Sequence, residues 1–262
     1  MQSIPPLRTV DMQNAAQKRS YTRGVFAILA SVYKRNTAIF SFGRDRIWKR
    51  LLIAALPAKI GEDRLGTNAL CLDLACGTGD ITGALAQRYP QAKILGLDLS
   101  EDMITEARRA LKEKLAELPG ADQNICLELG DMSALSREDN SVDLLTAGYA
   151  LPNATDLDQA LGEMFRVLKP GAAAAFLDMS KSRNTFLAAV QCALLKSWGT
   201  VCGLILHGKP GVYTYLAENL QHFPNRRDLP LRLESNGFSD VSTRPLMGGF
   251  MALVVCRKAE AT

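Results

Sequence analysis

Cys71-Leu-Asp-Leu-Ala-Cys-Gly-Thr-Gly-Asp80 carries the residue types and spacing best suited to chemistry in this chain. The apolar run Ala69–Leu74 reads as a strand that enters a tight Gly77-x-Gly79 turn, and a helix follows from Ile81. Glycines there let bare backbone amides come close to a ligand. A second strand, Ala92–Leu97, runs into Asp98, 25 residues beyond Asp73. A carboxylate at that place can accept both hydroxyls of a ribose. The pair of features describes a site for an adenosine-containing ligand.

Charge narrows the ligand further. A pyrophosphate loop reads G-x-G-x-x-G; here Thr82 takes the third position and Gly83 comes one residue late. Asp73 and Asp80 flank the turn, where they would repel a pyrophosphate and suit an ammonium and a sulfonium. That favours S-adenosylmethionine over a dinucleotide. The expected contacts are Asp98 and Leu99 at the ribose and Ala75, Gly77, Thr78 and Gly79 along the methionine part. Asp73 either orders the loop or meets the ammonium through water. Met103, early in the next helix, either touches the ribose or adenine or packs in the core.

The elements that must hold these residues alternate. Strands are expected at Ala69–Ala75, Ala92–Asp98, Ile125–Gly130, Val142–Ala147 and Ala173–Asp178. Helices are expected at Ile81–Arg88, from Ser100 to about Glu117, and at Leu157–Leu168, the last stopped by Lys169-Pro170-Gly171. Such alternation argues for a parallel α/β sheet. The tail adds a helix, Leu229–Ser235, and two strands, Asp240–Pro245 and Phe250–Cys256. Their short join at Met247-Gly248-Gly249 permits only an antiparallel hairpin. The fold expected is therefore a Rossmann-like α/β domain with a seven-stranded, mostly parallel sheet ending in that hairpin. Val25–Tyr33 and Ile47–Leu56 read as helices ahead of it. Residues 1–20 read as a loose or partner-dependent arm, and a basic arm over residues 1–24 can exchange between the subunits of a homo-oligomer. Gly61–Asn68 reads as a linker. The expected division is 1–60, an arm and lid helices, and 61–262, the cofactor-binding domain with a lid insertion at about 183–228.

Composition excludes several classes. The 262 residues are 47% hydrophobic and 22% charged, enough for one large domain with its own core. A net charge of +4 with dispersed basic residues, and 6% aromatics, argue against a nucleic-acid partner. Six cysteines without a C-x-x-C, four of them in apolar runs, imply reduced and mostly buried thiols and a cytoplasmic compartment. Two histidines and no thiolate cluster give no metal site. Phe186–Leu206 is long enough to span a bilayer, but Lys196 and several polar or small residues interrupt it. A buried or pocket-lining helical pair is expected, with peripheral membrane contact as the alternative.

Further motifs resemble a known family. Tyr33-Lys-Arg-Asn36 is similar to a Y-D-x-x-N pattern, and Ser41-Phe-Gly-Arg-Asp-Arg-Ile-Trp-Lys-Arg50 to S-x-G-x-x-R-x-W-K-R. Phe165-Arg-Val-Leu-Lys-Pro-Gly171 and Tyr213-Thr-Tyr-Leu-Ala-Glu-Asn219 match R-V-L-K-P-G-G, with Ala172 in place of its second glycine, and Y-x-Y-L-x-E-S. With the Gly77–Gly79 turn, these resemble class I S-adenosylmethionine-dependent methyltransferases, and within them the ubiquinone/menaquinone biosynthesis C-methyltransferases, from about Tyr33 to Lys258. The resemblance implies adenine at Gly130-Asp131-Met132, where Asp131 accepts from the amino group and Met132 stacks. It places Val25–Tyr33 and Phe186–Leu206 as a lid over an apolar, aromatic or prenylated acceptor, methylated at carbon. One departure stands out. Tyr149-Ala-Leu-Pro-Asn153 lies where the family has F-G-L-R-N, so Pro152 replaces an arginine that by resemblance faces the acceptor ring. Asp178 keeps the family's acidic residue at that strand's end.

Methyl transfer is an in-line displacement that needs alignment, exclusion of water and a base for the acceptor's proton. The candidate polar contacts or bases are Asn153, Tyr149, Tyr213, Tyr215, His207 and His222. Because the acceptor half departs from the pattern, two other activities stay open: N- or O-methylation of a lipid or natural product, and a cofactor-assisted cyclisation without methyl transfer.

Overall fold

The computed structural model describes residues 14–60, 69–115, 124–208 and 210–260. The Gly61–Asn68 linker and the first thirteen residues of the arm lie outside them. Seven strands form one sheet in the order β3-β2-β1-β4-β5-β7-β6. They are β1 Leu70–Leu74, β2 Lys93–Asp98, β3 Ile125–Leu129, β4 Val142–Gly148, β5 Leu168–Met179, β6 Phe238–Leu246 and β7 Met251–Lys258. The pairs among β1 to β5 are parallel; β7 is antiparallel to both β5 and β6. Each central strand buries both faces, which is why β1, β2 and β4 read as continuous apolar runs rather than alternating ones.

Helices cover both faces. On one side α6 (Leu157–Val167) and α9 (Asp228–Ser235) pack over Leu72, Leu145 and Phe176. On the other, α3 (Asp45–Ala55) and α4 (Asp80–Arg88) cover Cys71, Leu144 and Ala175. α5 (Glu101–Leu115) follows β2. A third cluster joins α1 (Ala15–Leu29), α7 (Thr185–His207) and α8 (Thr214–His222) through Tyr21, Val25, Cys202 and Tyr215. It sits above the strand ends that carry the Gly77–Gly79 turn.

Three expectations need correction. Residues 15–20 belong to α1, not to a loose arm. The Asn14 side chain accepts from the Gln17 amide and caps the helix, which Lys18 and Arg19 tie to the rest of the chain. This leaves residues 15–24 engaged within their own chain. Second, β5 begins at Leu168, so Lys169-Pro170-Gly171 lies inside a strand. The proline holds Lys169 in extended geometry. Gly171, at φ 73°, sits in an irregularity that shifts the β4–β5 register. Third, Phe186–Leu206 lies within one continuous 23-residue helix, α7. Gly199 and Gly203 do not break it; Gly199 lets the start of α8 approach closely, since a Cβ there would sit 3.1 Å from the carbonyl oxygen of Tyr213, the residue that caps α8. Only one side of α7 is buried.

Candidate active site

The turn after β1 is built from left-handed residues. Ala75 has φ 49°, Gly77 φ 54° and Gly79 φ 77°. At Gly79 an added Cβ would also press Leu111 at 3.0 Å. The Cys76 amide donates to the Leu97 carbonyl at 3.0 Å, which lashes the turn to the end of β2. Asp98 lies there. Its Oδ2 accepts from the Gly77 amide at 2.8 Å and its Oδ1 from the Ser100 amide at 2.9 Å. Burial raises its pKa, opposed by those amides. A carboxylate has about four lone-pair sites, so two bonds leave capacity for the ribose hydroxyls. The residues present therefore fit an adenosyl group beside the turn.

Asp73 is fully buried and does not face that ligand. Its Oδ2 accepts from Thr82 Oγ1 at 2.6 Å and its Oδ1 from Thr146 Oγ1 at 2.9 Å. It orders the turn by joining β1 to α4 and β4. Burial pushes its pKa up to about 7, against the two hydroxyl donors. Asp80 is already paired, with Lys49 Nζ at 2.9 Å and Lys34 Nζ at 3.2 Å. Burial opposes ionisation, but the two ammonium groups hold its carboxyl below the usual range. The sequence argument that Asp80 repels a pyrophosphate loses its force, because lysines from α2 (Tyr33–Phe40) and α3 neutralise it.

The remaining cofactor candidates divide. Thr78 is buried beside the turn, and Leu99 is half-buried behind Asp98. Gly130 follows β3 with its amide on the Asp98 carbonyl at 2.8 Å; a Cβ there would strike Leu97 at 2.7 Å. Asp131 accepts from the Ser133 amide at 2.9 Å and pairs with Arg19 at 3.3 Å. Met132 is half-buried against the core. Met103 is fully buried, so of its two readings core packing holds.

Next to the turn lies a cavity of about 390 Å³ between α1, α2, α7, α8 and the strand ends. Its lining is almost wholly apolar or aromatic, including Phe26, Leu29, Phe40, Trp48, Leu195 and Phe250. Tyr33 belongs to this lining, and its ring stands 3.9 Å from where a Gly77 Cβ would be. The turn and the cavity therefore share a wall. Among the described lining residues Asp178 is the single carboxyl. Its Oδ2 accepts from the Leu151 amide at 3.2 Å, its Oδ1 has no partner, and burial raises its pKa.

Asn153, Tyr149, Tyr213 and Tyr215 all line the cavity. Tyr149, at φ 60°, leaves β4 in a left-handed conformation that turns its ring inward; its hydroxyl is buried and unpartnered. The Asn153 amide nitrogen donates to the Tyr149 carbonyl at 2.9 Å, and Asn219 Nδ2 donates to Asn153 Oδ1 at 2.8 Å. Tyr215 packs edge-on against Tyr21 and Phe26. His207 stands behind the lining: its Nε2 lies 2.8 Å from the Tyr213 hydroxyl and 3.3 Å from Asn36 Nδ2. Burial lowers its pKa, helped by Arg35. His222 is a correction. It is exposed on α8, with Nδ1 on the Glu218 carbonyl at 3.0 Å, and does not reach the cavity.

Two residues were missed at the site, Asn36 in the lining and Asn219 behind it. Asn36 is buried with Oδ1 unpartnered, and Asn219 positions Asn153. Both ended motifs already legible in the sequence; what hid them was that their partners lie 171 and 66 residues away.

Comparison with known proteins fits this geometry. A model of the ubiE/COQ5 methyltransferase family matches residues 12–258. The chain belongs to this family. It is 34% identical over 239 residues to a 2-phytyl-1,4-naphtoquinone methyltransferase of Thermosynechococcus vestitus, covering 90% of this chain and 98% of that one. A demethylmenaquinone methyltransferase of Staphylococcus aureus is 32% identical over 241 residues, 92% of this chain and 93% of its own. Among solved structures, a SAM-dependent methyltransferase of Thermotoga maritima aligns with TM-score 0.61 at 17% identity, over 90% of this chain and 99% of the other. The geranyl diphosphate C-methyltransferase of Streptomyces coelicolor aligns with TM-score 0.57 at 12% identity, over 82% and 81%. These two share the fold. The protein is an S-adenosylmethionine-dependent methyltransferase with the expected class I sheet.

Proposed function

We propose that the protein methylates a ring carbon of a reduced, prenylated quinone. The observation that carries this is the shared wall at Tyr33, which sets the apolar cavity directly beside the cofactor turn. The quinone methyltransferases among its relatives support the same acceptor class. Bound at the turn, S-adenosylmethionine supplies an electrophilic methyl on a sulfonium. Asp98 holds the ribose hydroxyls, and Gly77 and Gly79, without side chains, let the methionine part approach the backbone of the turn. At Asp131, the Arg19 ion pair opens to admit the adenine edge. Asn153, fixed by Asn219, orients a quinol oxygen so that the adjacent ring carbon faces the methyl. Transfer of that methyl to the ring carbon would displace the neutral thioether and leave one ring proton to be taken up. Asp178, in its ionised form, receives the proton released from the acceptor. The dry lining keeps water from competing.

The test is product analysis. Purified protein is incubated with methyl-labelled cofactor and, in separate reactions, a reduced prenylated naphthoquinone, a reduced prenylated benzoquinone and amine acceptors. Label on ring carbon of a quinol is expected. Label confined to nitrogen or oxygen, or tight cofactor binding with no labelled product, overturns the reading. With the quinol identified, Asp178→Asn should lower kcat and leave cofactor affinity unchanged; an unaltered kcat removes Asp178 from the proton step.

A further inference from the structure

We infer that the exposed face of α7 docks the protein on the surface of an anionic lipid bilayer, with the cavity mouth facing the lipid. The helix is apolar over most of its length: an 18-residue window reaches a mean hydropathy of 1.5, yet only 22% of that window is buried. A helix of that composition belongs in a core or against lipid. Phe186, 73% exposed, and Ile205, 77% exposed, mark its two ends, and Val190, Leu194 and Val201 continue the stripe between them. At 1.5 Å per residue the face runs about 28 Å.

The helix lies on a membrane rather than across one. Its other side is fastened to the protein. Gln191 Oε1 accepts from the Ser182 amide at 2.7 Å, its Nε2 donates to the Gly249 carbonyl at 3.4 Å, and Gly199 touches the backbone at the start of α8. Spanning would tear these apart.

Two observations choose lipid as the occupant. The first is continuity with the cavity. Leu194 and Trp198 of α7 line it, and so does Phe42, which is 59% exposed and stacks on Trp198 with ring centroids 5.0 Å apart. The same surface thus carries the cavity mouth. The second is charge. Residues 179–217 contain no carboxylate and four basic residues, Lys181, Arg183, Lys196 and Lys209. The chain has 31 basic and 27 acidic residues, so removing these four leaves 27 against 27. All of the net positive charge resides in the segment that contains α7. An anionic leaflet attracts it. A second copy related by a two-fold axis would set the same positive segment against itself. The inference deepens the quinone reading, since a prenylated acceptor partitions into bilayers.

Vesicle flotation tests it without any acceptor, so its outcome is independent of the methylation assay. Full-length protein is mixed with vesicles of phosphatidylcholine alone or of equal parts phosphatidylcholine and phosphatidylglycerol. Binding to the anionic vesicles is expected, weakened by salt. The double variant Phe186→Ser/Ile205→Ser, both outside the cavity lining, should bind about tenfold more weakly or worse, with cofactor affinity and melting temperature retained. Absent vesicle binding overturns the inference, as does equal binding by a folded double variant. A dimer seen by light scattering that the same variant dissolves also overturns it, because the face would then belong to a second copy. If vesicles bind but no quinol is methylated, the acceptor reading fails and the docking surface stands.

Discussion

Asn219→Asp keeps the size of the side chain and removes its two donors. The effect follows from one carbonyl. The Tyr149 carbonyl can only accept, so the Asn153 group 2.9 Å from it must be the amide nitrogen. Asn153 Oδ1 then faces Asn219, whose Nδ2 must be the donor at 2.8 Å. Asparagine orientations are ordinarily assigned from such networks, and here the backbone settles both. The substitution sets a carboxylate oxygen against Asn153 Oδ1. If the Asn153 amide flips to relieve this, its oxygen meets the Tyr149 carbonyl instead. Either arrangement leaves one buried acceptor unpaired, at about 1–3 kcal/mol beyond the lost bond. Urea unfolding should show a loss on the order of 2 kcal/mol. With the acceptor misaligned, kcat should fall by roughly ten- to a hundredfold. Calorimetry should find cofactor affinity unchanged, since Asp98 and the turn stand apart from this network. Unchanged kcat and stability would refute the positioning role; a parallel loss of cofactor binding would show general damage instead.

Two further outcomes follow from the carboxylates. Asp98→Ala should weaken cofactor binding by roughly 1.5–3 kcal/mol for each charge-assisted bond lost, and should also lower stability, because the Gly77 and Ser100 amides lose their acceptor; calorimetric affinity equal to wild type removes Asp98 from the site. Asp73, with a pKa raised to about 7 from 3.8, favours its protonated form in the fold. The folded state therefore binds more protons than the unfolded one between about pH 4 and 7, and this contribution, present below pH 4, is lost as pH rises to 7. Its full span is on the order of 4 kcal/mol. Unfolding measured across that window should show a decline that Asp73→Asn lacks, and parallel curves for the two proteins would refute it.

The sheet was legible because its signals are local. Apolar runs ending in Gly77-x-Gly79, in Asp98 and at the Met247–Gly249 join define strands, turn and hairpin without reference to anything distant. The β5 boundary was not, because Pro170 reads as a stop until its strand neighbours accommodate the irregularity at Gly171. The cofactor loop was legible in position but misread in charge. Asp80 looks like an unpaired carboxylate until folding brings Lys34 and Lys49 to it. α7 was misread for a related reason: its small residues signal breaks in sequence, and the use of Gly199, close approach to the start of α8, depends on a tertiary contact. The acceptor side suffered most. Asn36 and Asn219 act through partners far along the chain, and no periodicity marks them.

Pro152 and Lys18 together bear on what the cavity can recognise. The family pattern has an arginine where Pro152 stands, and a proline supplies neither a cation nor an N–H. An ammonium nevertheless reaches that turn from α1: Lys18 Nζ donates to the Pro152 carbonyl at 3.2 Å and to the Ala154 carbonyl as well. Burial lowers its pKa, so the ammonium depends on those carbonyls for its solvation. Lys18 approaches the turn's backbone and is absent from the cavity lining, so it braces the loop that carries Asn153 without presenting charge to the acceptor. This chain thus has, at the place of the family pattern's arginine, a lysine from α1 that holds the backbone. Facing the acceptor, the described lining offers neutral polar groups, among them Asn36, Tyr149 and Asn153, and the single carboxyl of Asp178. A cavity of this kind discriminates by fit to an apolar body and by a few hydrogen bonds; where Asp178 is ionised it also penalises an anionic acceptor, since no cation stands among the described lining residues.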